Sequence, residues 1–175
     1  MRELVDAGRV LALMRALGAE ARTETRAYLT GGSSAVLVGW RGTTVDVDLK
    51  FEPEDDRVLR AIPALKETLR MNLELASPGD FIPELPGWRE RSVFIAQEGR
   101  ITFLHYDFYA QTLSKIERSH ARDLGDVREM IARNLVAPER LLELFAAIEP
   151  ELYRYPALDP RGFRARVASV AAGSR

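Results

Sequence analysis

Alternation of apolar and polar side chains along short stretches of this chain predicts β-strands with one buried face. Residues 44–50 show it most clearly: Val45, Val47 and Leu49 alternate with polar residues, which is the period-two pattern of a strand. Weaker forms of the same pattern lie between segments that are rich in Gly, Pro, Asp and Ser. Further strands are predicted at 27–30, 72–76, 92–97 and 100–106, the last two joined as a hairpin across Glu98-Gly99.

Helical spacing of apolar residues predicts helices around and after these strands. The first helix is expected over 3–17, with Gly18 as its stop. Asp107 is expected to cap one long helix that reaches Leu135. Other helices are predicted at 33–38, at 53–71 with Pro63 kinking or splitting it, at 138–148, and from Asp159-Pro160 onward.

This order of elements predicts an α+β fold, with a small mixed β-sheet, helices on one face of it, and a helical C-terminal segment packed on that core. We place the core domain in residues 1–107 and the helical segment in 108–175. The chain has 175 residues, of which 46% are apolar, which is enough to bury a core.

Bulk charge and composition exclude several classes of function. A net charge of −1 gives no overall attraction to nucleic acid or to an anionic membrane. The absence of cysteine excludes disulfides, zinc–thiolate sites and thiol catalysis. The N-terminus has no apolar signal region and no run approaches the length of a membrane span, so we expect a cytoplasmic protein.

Candidate chemistry begins with Asp46-Val-Asp48 in the clearest strand. The period of two places both carboxylates on one face, with α-carbons roughly 7 Å apart. They repel each other unless a cation lies between them, and Mg²⁺ suits such oxygen ligands. A solvent-facing Asp-x-Asp is common, so this pattern alone does not establish a metal site. Glu74, at an outward position of the next predicted strand, is the first candidate for the third carboxylate of a two-metal arrangement, with Asp80 and Asp107 in reserve. A solvated strand face is the alternative for Glu74.

The second candidate feature is Gly31-Gly32-Ser33, between the first strand and a short helix. Glycines allow close approach of the backbone to a phosphate, and a helix N-terminus favours an anion. The alternative is an ordinary turn with a serine cap. The position of this turn directly before the Asp-x-Asp strand favours a phosphate cradle beside a metal site.

These residues together resemble the signature of the DNA polymerase β-like nucleotidyltransferase superfamily, and in particular small bacterial nucleotidyltransferases related to the toxins of type IV toxin–antitoxin systems. The resemblance covers roughly residues 25–135. It rests on these motif residues: Gly31-Gly32-Ser33, Arg41, Thr44, Asp46-x-Asp48, Lys115 and Asp123-x-x-Asp126.

The resemblance implies a role for each matched residue. Asp46, Asp48 and Glu74 would bind Mg²⁺, with two ions plausible, although the family generally has aspartate at the third position. Lys115 would reach the triphosphate and act in catalysis, and Asp123 or Asp126 would orient Lys115 or arginines near it. Contacts to the nucleotide are implied for Gly31, Gly32, Ser33, Arg41, Thr44, Lys115, Asp123 and Asp126. For Lys115, a surface stripe of ion pairs is the alternative.

We therefore predict an Mg²⁺-dependent nucleotidyltransferase that moves an NMP from an NTP to an acceptor hydroxyl and releases pyrophosphate. The resemblance suggests RNA as acceptor and an antitoxin protein as partner. The alternative is a non-catalytic nucleotide- or partner-binding module that retains the fold. His105 and His120 are predicted to be structural.

Overall fold

The computed structural model describes residues 3–173, and the chain forms two compact units. The first comprises the chain up to Ser77 together with Ser92–Tyr106, and the second comprises Pro78–Arg91 and the chain from Asp107 onward. The predicted boundary after residue 107 stays a prediction.

The first unit is a five-stranded mixed sheet with three helices. The strand order is β3-β2-β1-β5-β4; β1 pairs antiparallel with β2 and parallel with β5, β3 is parallel to β2, and β4 is antiparallel to β5. The elements are α1 (Ala7–Glu20), β1 (Thr25–Thr30), α2 (Gly31–Val38), β2 (Asp46–Glu52), α3 (Asp56–Thr68), β3 (Asn72–Leu75), β4 (Val93–Glu98) and β5 (Ile101–His105).

Alternate residues of the strands build the core of this unit. Val47, Leu49 and Phe51 of β2 pack in one cluster with apolar residues of β1, β3, β5, α1 and α3. These helices therefore cover one face of the sheet, and the intervening polar residues of the strands lie on the other. Asp6 caps α1 by accepting a hydrogen bond from Arg9 N, and Asp55 caps α3 by accepting from Arg57 N and Val58 N.

The second unit is helical. Its helices are α4 (Trp88–Arg91), α5 (Phe108–Arg118), α6 (Ala121–Ala132), α7 (Pro138–Ile148) and α8 (Pro160–Gly173), with 3₁₀ turns at Pro78–Asp80 and Glu149–Arg154. The mixed sheet with helices followed by a helical segment confirms the predicted α+β class. None of the helices in the described part of the chain is long and apolar enough to span a bilayer.

Two predicted helix boundaries differ from the structure, one at a glycine and one at a serine. Gly18 does not stop α1, which continues to Glu20. A β-carbon on Gly18 would overlap the backbone of Glu98, so this glycine allows α1 to pack closely on the β4–β5 turn. The predicted long helix from Asp107 is two helices, because Ser119 adopts a left-handed conformation (φ 56°) that ends α5.

Two further expectations also differ from the structure. The helix containing Pro63 is not split: α3 runs through that residue as one element. The β2 strand begins at Asp46 and not at Thr44, because Thr44 instead forms an isolated bridge with Val5, through backbone hydrogen bonds of 2.8 and 2.9 Å.

Candidate active site on the polar face of the sheet

The two aspartates of β2 lie side by side on the polar face, as their spacing predicts. Asp46 and Asp48 are each half-buried, whereas Val47 and Leu49 between and after them are fully buried on the opposite face. The antiparallel register pairs Asp48 with Thr30, the last residue of β1. The register therefore brings Asp48 to the point where the chain leaves β1 and enters α2.

Gly31 makes the turn from β1 into α2 and lies against Asp48. Its φ of +63° is in the left-handed region that favours glycine. A β-carbon built at this position would lie 3.0 Å from Asp48 Oδ2. One carboxylate of the pair is thus close to the N-terminus of a helix, where the helix dipole is positive.

Gly32, Thr44 and Arg41 form the next layer of the turn. A β-carbon on Gly32 would overlap Oγ1 and Cβ of Thr44 and would lie 3.5 Å from an Arg41 guanidinium nitrogen. Thr44 is buried, and its hydroxyl donates a hydrogen bond to the carbonyl of Asp46 (3.1 Å). Thr44 therefore fixes the start of β2 against the glycine turn, and the positive charge of Arg41 lies beside the same turn.

Ser33 is completely buried, and its hydroxyl donates to the carbonyl oxygen of Thr30 (2.8 Å). This hydrogen bond closes the first turn of α2. The side chain thus has a local structural partner, and its predicted contact with a nucleotide stays a prediction.

The neighbouring strand β3 contributes Asn72 and Glu74 to the same face. The parallel register pairs Asp46 with Asn72 and Asp48 with Glu74. The Asn72 amide nitrogen donates to Asp46 Oδ1 (2.6 Å) and to Glu74 Oε1 (2.8 Å), so one amide bridges two carboxylates. Within residues 3–173, no three His, Cys, Asp or Glu side chains converge closely enough to form a complete metal cage.

The donor set nevertheless fits Mg²⁺. This ion keeps several waters and typically takes only one or two protein carboxylates, with substrate phosphates at other positions. Asp46 and Asp48 present two carboxylates on one face of one strand, and these are the groups that would hold such an ion. Glu74 lies on the adjacent strand but is exposed and hydrogen-bonded to Asn72, so its role as a third ligand stays a prediction.

The second unit holds the remaining predicted site residues in a buried ionic cluster. Lys115 Nζ lies 2.7 Å from Asp126 Oδ2 and 3.4 Å from Asp123 Oδ1, and Arg118 lies 2.8 Å from Asp123 Oδ1. Lys115 and both aspartates are almost completely buried. The surface-stripe alternative is therefore wrong for Lys115, and the predicted pairing of Lys115 with these aspartates is present.

Residues 9–164 match the model of a family described as "Nucleotidyltransferase of unknown function (DUF6036)". The chain belongs to this nucleotidyltransferase family. No curated protein and no solved structure matches it. Membership implies a nucleoside triphosphate substrate and, in general, a divalent metal ion.

His105 in this nucleotidyltransferase is buried behind the site, on the helix-covered face of β5. Ser34 Oγ donates to the carbonyl of Leu29 (3.1 Å) and lies 2.9 Å from His105 Nδ1. Burial lowers the pKa of His105 from 6.5 to about 4, so the imidazole is neutral near pH 7. The prediction that His105 is structural agrees with these contacts.

Asn72 is the residue of this face that sequence reasoning did not identify. The sequence contains a signal for it, because Asn72 lies two residues before Glu74 and the two side chains therefore share one face of a strand. Recognition of its role required the register between β2 and β3, which the sequence pattern does not specify.

Proposed function

We propose that this protein transfers an NMP from an NTP to an acceptor hydroxyl. A bond forms between the acceptor oxygen and the α-phosphorus, the bond from that phosphorus to the bridging oxygen breaks, and pyrophosphate leaves with the electron pair. The hydroxyl proton passes to solvent. A divalent ion, held by Asp46 and Asp48, would stabilise the negative charge on the reacting phosphates.

One observation carries this proposal: Asp48 Oδ2 lies against Gly31 at the first turn of α2, with Asp46 on the same face. The Asp48 carboxylate thus lies next to a helix N-terminus, where a phosphate is favoured, and Asp46 offers a second carboxylate on the same strand face. A metal-bound triphosphate needs both features at one place. Family membership supports the same reading.

The residues around the turn have distinct proposed roles. Gly31, Gly32 and Ser33 would contribute backbone groups at the helix N-terminus to the phosphates, and Arg41 would add positive charge. Thr44 would act by holding Gly32 and Asp46 in place, as its packing and hydrogen bond support. A direct contact of Thr44 with the nucleotide is less compatible with its burial.

The contact of Lys115 with the triphosphate is a separate proposal, supported by the resemblance of the Lys115 and Asp123-x-x-Asp126 motif. The two aspartates would hold the ammonium group in one orientation, as their distances of 3.4 and 2.7 Å allow. RNA as the acceptor, and a toxin role with an antitoxin partner, rest on the resemblance alone.

A second candidate function, a non-catalytic nucleotide-binding module, is favoured by one specific observation. Glu74, which is exposed and hydrogen-bonded to Asn72, stands where the resembling families generally have aspartate. On this reading the protein binds NTP without transferring NMP.

Labelled NTPs separate these functions. The wild-type protein, incubated with Mg²⁺, total RNA and each α-labelled NTP, is expected to transfer label to an acceptor, whereas a γ-label is released as pyrophosphate. D48N is expected to abolish transfer. D56N is the matched control, because Asp56 is an exposed aspartate in the first turn of α3, and it should retain activity.

Three results would decide otherwise. Transfer of γ-label to product would show phosphoryl transfer instead. Absence of transfer, combined with thermal stabilisation by NTP and Mg²⁺ that D48N removes, would favour the binding module. Neither transfer nor stabilisation by any NTP would overturn both proposals.

A further inference from the structure

We propose that Asn72 is a positioning residue for the metal carboxylates, because its side-chain amide holds Asp46 and Glu74 in fixed orientations across two strands. The inference rests on the proposed function, since it concerns the same carboxylate face. It assigns a role to a neutral residue that belongs to none of the sequence motifs.

The geometry places Asn72 at the centre of this carboxylate group. It stands directly opposite Asp46 in the parallel β2–β3 register, and Glu74 follows it at the next position on the same face. Its amide nitrogen lies 2.6 Å from Asp46 Oδ1 and 2.8 Å from Glu74 Oε1. An NH₂ group has two hydrogens, so each carboxylate receives one of them.

An amide is suited to this position because of the charge on either side of it. Two nearby carboxylates repel each other, and each gains from a hydrogen bond donated to its charged form. The bond to Oδ1 also restricts rotation of the Asp46 carboxylate. A carboxylate held in one rotamer pays less entropy when it binds a cation than one that rotates freely. Partners that orient a metal ligand typically contribute 10- to 100-fold to metal affinity.

The same bonds have a structural alternative, in which Asn72 merely joins the edge strand β3 to β2. The two explanations differ in what Asn72→Ala changes. A structural tie affects thermal stability alone, whereas a positioning role also weakens cation binding by the folded protein.

A titration of the nucleotide-free protein with Mn²⁺, with unbound ion counted by electron paramagnetic resonance, distinguishes them. N72A is expected to raise the Kd for Mn²⁺ roughly tenfold. T102V is the matched control: Thr102 Oγ1 donates to Gln97 Oε1 (2.7 Å), a side-chain hydrogen bond between β5 and β4 on the same face of the sheet. Its Kd should stay within about twofold of wild type. The melting temperature of each variant in EDTA measures the structural contribution.

The outcomes separate this inference from the proposed function. If wild type binds Mn²⁺, D48N does not, and N72A binds as wild type does, the positioning role is overturned and the proposed function stands. If wild type and D48N are equally unable to bind Mn²⁺ without nucleotide, the positioning role is overturned, and the proposed function is decided by the transfer of α-label from NTP. Should N72A fail to fold, N72S replaces it; its short hydroxyl has one hydrogen and cannot bridge both carboxylates, so a tenfold weaker Kd is again expected.

Discussion

The carboxylate of Asp48 lies so close to Gly31 that a β-carbon at position 31 would make an unusually tight contact with it. A β-carbon there would lie 3.0 Å from Asp48 Oδ2, and the backbone of Gly31 has a φ of +63°. The two residues are 17 positions apart in sequence, and the β1–β2 register brings them together. The shape of the glycine turn and the position of the Asp48 carboxylate are therefore coupled.

Gly31→Ala is expected to displace Asp48 and to impair the site more than it impairs the fold. Backbone strain should lower stability by about 1 kcal/mol. The control is Gly39→Ala, because Gly39 also has a positive φ (+104°) but has open space around it. Both variants should melt at lower temperature in calorimetry, whereas only G31A should lose Mn²⁺ affinity. Equal Mn²⁺ affinity in G31A and wild type would contradict the coupling.

Gly32→Ala is expected to be more damaging to stability, by about 2 to 4 kcal/mol, because a β-carbon would overlap the buried side chain of Thr44. Adding Thr44→Ala should recover part of this loss, since it removes Oγ1, one of the two overlapping atoms, while Cβ remains. Urea denaturation of the single and double variants measures the coupling. Gly42→Ala, with open space around it, should change stability by less than about 0.5 kcal/mol. Strict additivity of G32A and T44A would show that the two sites do not interact.

Lys115→Met is expected to destabilise the protein by about 3 kcal/mol, because it leaves buried Asp126 without its cation at 2.7 Å. The double variant K115M/D126N, which also removes the charge of Asp126, should recover at least half of that loss. Lys66→Met, at a half-buried lysine of α3, is the control and should be nearly neutral. If K115M alone is also neutral, the cluster contributes little to stability.

The restored double variant then tests the nucleotide role of Lys115 apart from its stability. K115M/D126N, once shown to be folded, should still lose NMP transfer if Lys115 contacts the triphosphate. Activity near that of wild type would limit the cluster to a structural role.

Acidification is expected to destabilise the protein through His105. Its pKa is about 4 when folded against 6.5 ordinarily, so the unfolded state binds more protons between these values and stability falls as the pH falls. From pH 7 to pH 5 this group alone should cost about 2 kcal/mol. His105→Asn should flatten the slope, whereas His120→Asn should retain it, because His120 is exposed. An unchanged slope in H105N would assign the effect to other groups.

Asp55 contributes to acid sensitivity at lower pH and can be separated from His105. Hydrogen bonds from the backbone and hydroxyl of Thr23 hold the pKa of this carboxyl well below its usual range of about 3.8. Its stabilising contribution is therefore present above roughly pH 4 and is lost only as the pH falls further. Measurements between pH 5 and pH 7 are thus free of a contribution from Asp55, and the H105N variant identifies the part that His105 makes.

Much of the fold could be predicted from the sequence because its signals are local. Period-two alternation located β2, and proline at the first turn located the starts of α7 and α8. Signals that depend on distant contacts were misinterpreted. Gly18 stands where the sequence pattern predicts the end of a helix, but its lack of a side chain instead allows close packing against Glu98. Ser119 ends α5 within a stretch whose apolar spacing continues to predict helix.

Part of the geometry of the candidate site was predictable for the same reason. Asp46 and Asp48 share a face because of strand geometry alone, and the glycine turn is a local feature. The bridge from Asn72 to Asp46 requires the β2–β3 register, which no local pattern specifies. The same limit applies to Thr44, whose packing on Gly32 depends on where β2 begins.

The division of β2 between core and polar face has a consequence for how this protein tolerates change. Val47, Leu49 and Phe51 face the interior, and the acidic residues are interleaved with them. Inserting or deleting one residue within this strand would exchange the two sets. The carboxylates would then face the apolar core, and the hydrocarbon side chains would face the polar side of the sheet. Evolutionary loss of the acidic pair by substitution is thus open to this protein, but relocation of the pair by a length change is not.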